Sequence, residues 1–331
     1  MTRWRALVVG ALIASGCGGS STSPSAPGTS NNLSSAASSY LNEVTGLMQT
    51  NSINRARINW TDFRSQVFQR AQGAQTIADT YSAISVALGL LDDHHSFFVT
   101  PTNTTVPNPT SRRCTAPAAA VPSVPADVGY VKITSFSGTD TAATTAFADS
   151  IQAQIRRADA PGLVGWMVDL RGNSGGNMWP MVAGVGPVLG DGIAGYFLPP
   201  QGSAVSWSFQ NGAALSGGSM AARTSSVYEL IRRNPRVAVL TDGLAASSGE
   251  AVVISFRRRA DARSFGASTC GLSTANGTFR LSDGAMLYLT TSVMADRTQT
   301  PYGDTIAPDE VVGGDAPVVD RAIAWLRNPA I

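Results

Sequence analysis

The chain has 331 residues, of which 43% are hydrophobic and 14% charged, and its formal net charge is +2. This composition is typical of a folded protein with a sizeable core and excludes a wholly disordered chain. A net charge so close to zero gives no electrostatic basis for binding nucleic acid or an anionic membrane surface, and we expect no nucleic-acid partner.

The N-terminal residues resemble a bacterial lipoprotein signal. Two arginines precede an apolar run over 6–14, which is too short to span a bilayer, and small residues then lead to Cys17. We predict a lipoprotein-type signal peptide over 1–17 with lipidation at Cys17; an ordinary cleaved signal peptide is the alternative. Several acyl chains hold a protein firmly to a membrane. This predicts a lipid-anchored protein of the bacterial cell envelope, on the periplasmic or extracellular face.

The rest of the chain divides by composition and periodicity. Residues 18–35 are rich in Gly, Ser, Pro and Asn and carry no charge, which predicts a flexible tether. Apolar residues then recur at helical spacing, and we predict a small helical bundle over 36–100. Residues 101–127 are rich in Pro, Thr and Ala and are interpreted as a linker. Strand and helix patterns alternate over 128–331, which indicates an α/β core.

Within this core the patterns predict particular elements. Strands are expected at 129–136, 163–170, 237–240 and 285–292. Helices are expected at 141–157, at 177–189 with an interruption at Pro180, after Ser247, and around 318–326.

The most informative segment is TDGLAASSGEAVVISF, residues 241–256. A strand, a tight turn and a helix that opens at a serine together form the geometry that exposes a nucleophilic hydroxyl. The peptide N–H groups at the helix start would face a developing oxyanion. Ser247 and Ser248 are the candidates, and the alternative is that a serine here only caps the helix.

The possible proton acceptors are few. The only histidines are the adjacent His94 and His95, and the only lysine is Lys132, on a predicted strand. If a histidine activates a serine, it must be one of this pair; the alternative is a pair of surface or packing histidines. No set of Cys, His and Glu completes a coordination shell, so we expect no metal site.

A glycine-rich turn follows the second predicted core strand, in DLRGNSGGNMWP at 169–180. Glycines let backbone N–H groups approach a ligand closely, so this turn is a candidate oxyanion donor together with the N–H of Ser248. A plain strand-ending turn and a phosphate-binding loop are the alternatives. The segment lacks the Gly-Lys-Ser/Thr and the spaced glycines of nucleotide sites, and we expect no cofactor.

Cys114 and Cys270 would enter an oxidising compartment after export, where a disulfide is plausible. The sequence leaves open whether they form one or remain two separate buried thiols.

Four segments, in order, resemble the C-terminal processing and tricorn-type serine peptidases, a group that also includes the interphotoreceptor retinoid-binding modules. The segments are LDDHHSFF (91–98), DLRGNSGG (169–176), TDGLAASSGEA (241–251) and GDTIAPDEVV (303–312). This resemblance implies a ClpP- or crotonase-like α/β core preceded by the helical bundle, with the active site between the two. It also implies a protein or peptide substrate.

The resemblance assigns roles to particular residues. The SSGE motif implies that Ser247 is the nucleophile and that Ser248 donates its backbone N–H. The glycine-rich turn implies Gly175 or Gly176 as the other oxyanion donor. The DxHS pattern selects His95 over its neighbour as the base.

The chain also departs from the family pattern. The lysine of a Ser-Lys dyad is replaced by Leu272 in STCGLST (268–274), which favours the branch that uses histidine. The glutamate of that branch is replaced by Tyr302, so the group that orients His95 is open; Asp304 is our candidate, with Asp296 and Ser96 as alternatives.

The predicted function is an exported serine endopeptidase of the tricorn or C-terminal-processing type that works through a Ser-His acyl-enzyme mechanism. The alternative is a non-catalytic ligand- or protein-binding module on the same scaffold.

Overall fold

The structure is a computed structural model that describes residues 32–328. The predicted signal peptide with Cys17, and the tether up to residue 31, lie outside the described residues. The helices within this part of the chain are Ser35–Asn51 (α1), Trp60–Arg70 (α2), Tyr81–Leu90 (α3), Thr141–Ala158 (α4), Met178–Leu189 (α5), Ser248–Phe256 (α6) and Asp315–Arg327 (α7). None of them is both long enough and apolar enough to cross a membrane.

The strands of the described residues form two sheets. In chain order they are Phe97–Val99 (β1), Thr105–Val106 (β2), Val128–Lys132 (β3), Gly165–Asp169 (β4), Gly192–Leu198 (β5), Val205–Gln210 (β6), Ala213–Ser216 (β7), Ser219–Arg223 (β8), Val237–Thr241 (β9), Ala262–Gly266 (β10), Thr274–Arg280 (β11), Met286–Asp296 (β12) and Glu310–Val311 (β13). The parallel sheet has the order β13-β10-β9-β4-β3. The antiparallel sheet has the order β2-β1-β12-β5-β6-β7-β8, and β11 also pairs with β12.

The parallel sheet is covered on both faces. Every residue of β4 and of β9 is buried, as expected for central strands of a parallel sheet between helices. Val168 and Val239 belong to the core that includes α4, α5 and α6, whereas Met167 and Leu240 belong to the core that includes α7. The predicted α/β architecture with N-terminal helices is therefore confirmed.

The N-terminal helices pack on the antiparallel sheet. Leu41 of α1 and Leu88 of α3 share a buried cluster with Phe98 of β1 and Leu287 of β12. The short strand β1 pairs with β12. This packing fixes the segment between α3 and β1, which contains both histidines, against the sheet that also carries β11.

Two features differ from the sequence-based expectation. Strands β5 to β8 were not predicted. The sequences of β5, β7 and β8 do not alternate in hydrophobicity as a half-buried strand does, whereas VSWSFQ of β6 does alternate and could have been predicted. Helix α5 is not interrupted at Pro180. This proline lies in the first helical turn, where the missing N–H has no intrahelical partner to lose.

Candidate active site

Ser247 occupies a strained turn between the parallel sheet and a buried helix. Strand β9 ends at Thr241, and α6 begins at Ser248. The backbone of Ser247 has φ 52° and ψ −115°, a left-handed conformation that a residue with a Cβ rarely adopts. Strain of this kind is typical of a turn that presents a nucleophilic side chain at a sheet edge.

Glu250 holds this turn in place from the first turn of α6. Its carboxylate accepts hydrogen bonds from the backbone N–H groups of Ser247 (2.8 Å), Leu272 (2.8 Å) and Gly271 (2.9 Å), and from the hydroxyl of Thr269 (2.6 Å). The Glu250 side chain is fully buried. Burial raises its pKa, and the four hydrogen bonds oppose that rise.

His95 reaches Ser247 from the other side of the site. Its Nε2 lies 3.0 Å from the Oγ of Ser247, across 152 positions of the chain. The His95 backbone is held at both ends, since its N–H donates to Asp93 (3.0 Å) and its carbonyl accepts from Asn276 Nδ2 (3.1 Å). The structure therefore brings together the two residues that the sequence proposed as base and nucleophile.

The second ring nitrogen of His95 contacts a threonine and not an acid. Nδ1 lies 2.7 Å from the Oγ1 of Thr274, at the start of β11. The prediction that Asp304 orients His95 is corrected: Asp304 is exposed and forms an ion pair with Arg112 at 2.8 Å. The two alternatives are also engaged elsewhere. Asp296 accepts hydrogen bonds from Thr298, Thr300 and Tyr302. The hydroxyl of Ser96 donates to Asp93 and accepts from the N–H of Thr290.

His94 faces a different set of groups. Its Nδ1 donates to the carbonyl of Thr110 at 2.8 Å, and its Nε2 lies 3.7 Å from a carboxylate oxygen of Asp92. The His94 side chain is 41% exposed. Adjacent histidines thus point to different surroundings, and only the second one contacts Ser247.

The glycine-rich turn lies directly against the serine. A Cβ placed on Gly175 would come within 2.9 Å of the Ser247 Cβ and 3.0 Å of the Ser248 nitrogen, and its φ of 99° also favours glycine. The hydroxyl of Ser248 donates to the carbonyl of Gly176 at 2.6 Å. The glycine-rich turn therefore packs closely against the start of α6 beside Ser247, and a hydrogen bond joins the two.

The two candidate glycines of this turn are not equivalent. The N–H of Gly175 already donates to the Oδ1 of Asn173 at 3.0 Å. In residues 32–328 no hydrogen bond from the N–H of Gly176 or of Ser248 to a protein acceptor is found. Gly176 and Ser248 are consequently the better pair of oxyanion donors, and Gly175 contributes mainly through the space that its missing side chain leaves.

The charge state of His95 at neutral pH allows the ring to accept a proton. Burial lowers the pKa of His95 to about 4. The imidazole is therefore neutral near pH 7, with one nitrogen able to accept a proton. Among the described residues no cluster of three or more His, Cys, Asp or Glu side chains is placed to hold a metal ion.

A family model for peptidase family S41 matches residues 127–312, which is more than half of the chain. The chain belongs to peptidase family S41. It is a serine-type peptidase, as the sequence predicted, and a peptidase function implies a protein or peptide substrate.

Individual proteins resemble this chain in sequence or in fold. The chain is 27% identical over 270 residues to a nisin-resistance protein of Lactococcus lactis subsp. lactis, covering 81% of this chain and 80% of the relative. A lipoprotein from Streptococcus agalactiae has a similar structure, with a TM-score of 0.71, 21% identity and coverage of 89% and 97% of the two chains. The photosystem II D1 C-terminal processing protease shares the fold at a TM-score of 0.53, 15% identity and coverage of 87% and 97%.

No lysine is available to act as the base of this S41 peptidase. Leu272, which the resemblance sets at the position of the dyad lysine, has no proton-accepting side chain, and its N–H shares an oxygen of Glu250 with the N–H of Ser247. Lys132, the last residue of β3, is engaged elsewhere. Its Nζ lies 3.3 Å from Asp169 and donates to the carbonyl of Arg171 at 2.5 Å.

The two described cysteines form a disulfide between Cys114 and Cys270 in this S41 peptidase. It joins the segment 101–127 to the loop whose N–H groups bind Glu250. Arg112 reinforces this junction, since its Nη1 donates to the carbonyl of Cys270 and pairs with Asp304. The junction stabilises the loop that leads directly into Thr274.

Thr274 is a residue in contact with the His95 ring that sequence reasoning missed. It is the last residue of STCGLST (268–274), a segment whose only distinctive feature in the sequence is that it lacks the lysine of the family's Ser-Lys dyad. A hydroxyl does not stand out as a partner for histidine in a sequence, because threonine at a strand start is common. Only the pairing of β11 with β12, and of β12 with β1, places this hydroxyl beside the imidazole.

Proposed function

We propose that this chain is an exported serine endopeptidase in which Ser247 and His95 form a catalytic dyad. The observation that carries the proposal is the 3.0 Å approach of His95 Nε2 to Ser247 Oγ. Such a distance allows a direct hydrogen bond between a nucleophile and its general base. The strained backbone of Ser247 supports its role as nucleophile. The lowered pKa of His95 keeps the ring in the neutral form, which is the form that can accept a proton.

In this mechanism the Ser247 oxygen attacks the carbonyl carbon of a peptide bond while its proton moves to His95 Nε2. The carbonyl oxygen becomes negative and is stabilised by the backbone N–H groups of Gly176 and Ser248. The imidazolium then gives its proton to the departing amine, leaving an acyl group on Ser247. Water, deprotonated by the same imidazole, hydrolyses this ester and restores the free enzyme.

The test is cleavage of a mixed peptide library by the purified protein and its Ser247→Ala variant. Loss of the hydroxyl removes the acyl-enzyme route, so we expect kcat to fall by on the order of 10⁴-fold or more. Ser203→Ala is the matched control, since Ser203 is an exposed serine outside the site, and it should retain the activity. A folded Ser247→Ala variant that cleaves like the wild type would contradict the role of Ser247. A wild type that binds peptides without cleaving them would favour the non-catalytic binding module.

We further propose that the protein is anchored in the bacterial cell envelope through Cys17. In the proposed domain organisation, the signal peptide spans 1–17, the tether 18–35, the helical bundle 36–100, the linker 101–127 and the peptidase core 128–331. The likeness to a lipoprotein supports this, as do the apolar run and small residues before Cys17. Mass spectrometry of the mature N-terminus tests it, and an unmodified N-terminus elsewhere would refute it.

A further inference from the structure

Among the described residues no carboxylate makes a hydrogen bond to the His95 ring. Its two ring contacts are Ser247 Oγ at 3.0 Å and Thr274 Oγ1 at 2.7 Å. The nearby acids are engaged elsewhere: Asp93 binds the backbone N–H of His95, and Glu250 binds backbone N–H groups around Ser247. The group that orients the imidazole must therefore be a neutral one.

We propose that Thr274 is the positioning residue of this site: its hydroxyl oxygen accepts the Nδ1–H of His95 and holds the ring with the free Nε2 toward the Oγ of Ser247. This inference rests on the proposed Ser-His mechanism and deepens it. With the proton on Nδ1, the lone pair of Nε2 faces the hydroxyl of Ser247 and can take its proton. With the opposite tautomer, Nε2 would carry a hydrogen and the serine could not be deprotonated.

The surroundings of Thr274 suit a fixed acceptor. Its side chain is only 8% exposed, and its backbone lies opposite Val293 in the β11–β12 pairing. The preceding residue is anchored as well, because the hydroxyl of Ser273 donates to the carbonyl of Asp304 at 2.5 Å. Two residues further along β11, Asn276 holds the carbonyl of His95. One strand therefore positions both the ring and the backbone of the histidine.

A neutral partner has a chemical consequence that distinguishes it from an acid. A carboxylate beside the ring would stabilise the imidazolium and raise its pKa, whereas a hydroxyl supplies a hydrogen bond without that charge. The depressed pKa of His95, caused by burial, is in line with the lack of a compensating negative charge. Thr274 thus orients the base while leaving it neutral over a wide range of pH.

The experiment compares peptide cleavage by wild type, Thr274→Val and Thr274→Ser. Valine keeps the shape but leaves Nδ1–H without an acceptor, so we expect kcat to fall about 10- to 100-fold with little change in KM. Serine keeps the hydroxyl and should restore kcat to near the wild-type value. Thr278→Val, on the exposed part of the same strand, is the matched control and should leave kcat unchanged. Circular dichroism verifies that each variant is folded.

A fourth variant, Thr274→Asp, supplies a readout that a purely structural role would not move. The added carboxylate should shift the acid limb of the kcat/KM profile to higher pH, because it stabilises the imidazolium. Unchanged kcat in Thr274→Val, equal losses in the valine and serine variants, or an unshifted limb in Thr274→Asp would each overturn the inference. If Ser247→Ala and His95→Ala remain active, the proposed function itself fails; if they are inactive while Thr274→Val is fully active, only the role of Thr274 fails.

Discussion

Replacing His95 with alanine is expected to lower kcat for peptide cleavage by on the order of 10⁴-fold, because within residues 32–328 no other base contacts the Ser247 hydroxyl. The neighbouring His94 provides a matched control of the same residue type one position away. Its ring bonds to the Thr110 carbonyl and lies near Asp92, away from the serine. His94→Ala should therefore keep most of the activity. Steady-state kinetics with one peptide substrate would check both variants, and equal losses would contradict the assignment.

The same imidazole predicts the pH dependence of the wild type. Only neutral His95 can accept a proton, and burial lowers its pKa to about 4. Since the pKa is depressed, protonation and loss of activity begin only well below neutral pH. We expect kcat/KM to stay level from pH 7 down to about 5 and then to fall. An acid limb near 6.5, the ordinary histidine value, would show that a different or more exposed group titrates.

Replacing Glu250 with glutamine is expected to cause the largest loss of stability among single changes at the site. An amide has one acceptor oxygen where the carboxylate has two, and its NH₂ group would face N–H donors. One carboxylate oxygen accepts from the N–H groups of Ser247 and Leu272, and the other accepts from Gly271 and Thr269. In either orientation of the amide, two donors would therefore face its NH₂ group. Each buried donor left unpaired costs roughly 1–3 kcal/mol, so the free energy of unfolding should fall by about 2–6 kcal/mol.

The matched control for Glu250→Gln is Glu229→Gln. Glu229 is exposed and pairs with Arg233 on the surface, and such pairs contribute only about 0–1 kcal/mol. Urea unfolding of the two variants would give the comparison. The Glu250 variant should also lose activity while still folded, because the strained turn at Ser247 loses its support. Similar unfolding free energies for the two variants would contradict the role given to Glu250.

The parts of the site that could be predicted from sequence are those carried by local patterns. The helix that opens at Ser248 and the glycine-rich turn after β4 each lie within a short stretch of chain. His95 could be proposed as the base because the chain has only two histidines. Rules of backbone conformation and side-chain chemistry apply directly to such stretches, and in these places the expected and observed positions agree.

The parts that could not be predicted depend on contacts between distant segments. With Tyr302 in place of the family's glutamate, the sequence offers Asp304 as the partner of His95, yet Arg112, 192 positions away, binds Asp304 instead. Thr274 comes beside His95 only through strand pairing across 179 positions. Glu250 likewise accepts hydrogen bonds from backbone N–H groups of the loop at Gly271. This is a tertiary contact, which no local pattern reveals.

The most direct measurement of the central claim is the rate at which a fluorophosphonate probe modifies Ser247, with the modified residue mapped by mass spectrometry. The reaction requires a serine whose proton is removed by a neighbouring base. We predict a single adduct on Ser247 in the wild-type protein and in His94→Ala, and little or none in folded His95→Ala. An unmodified Ser247, or equally fast modification without His95, would contradict the dyad.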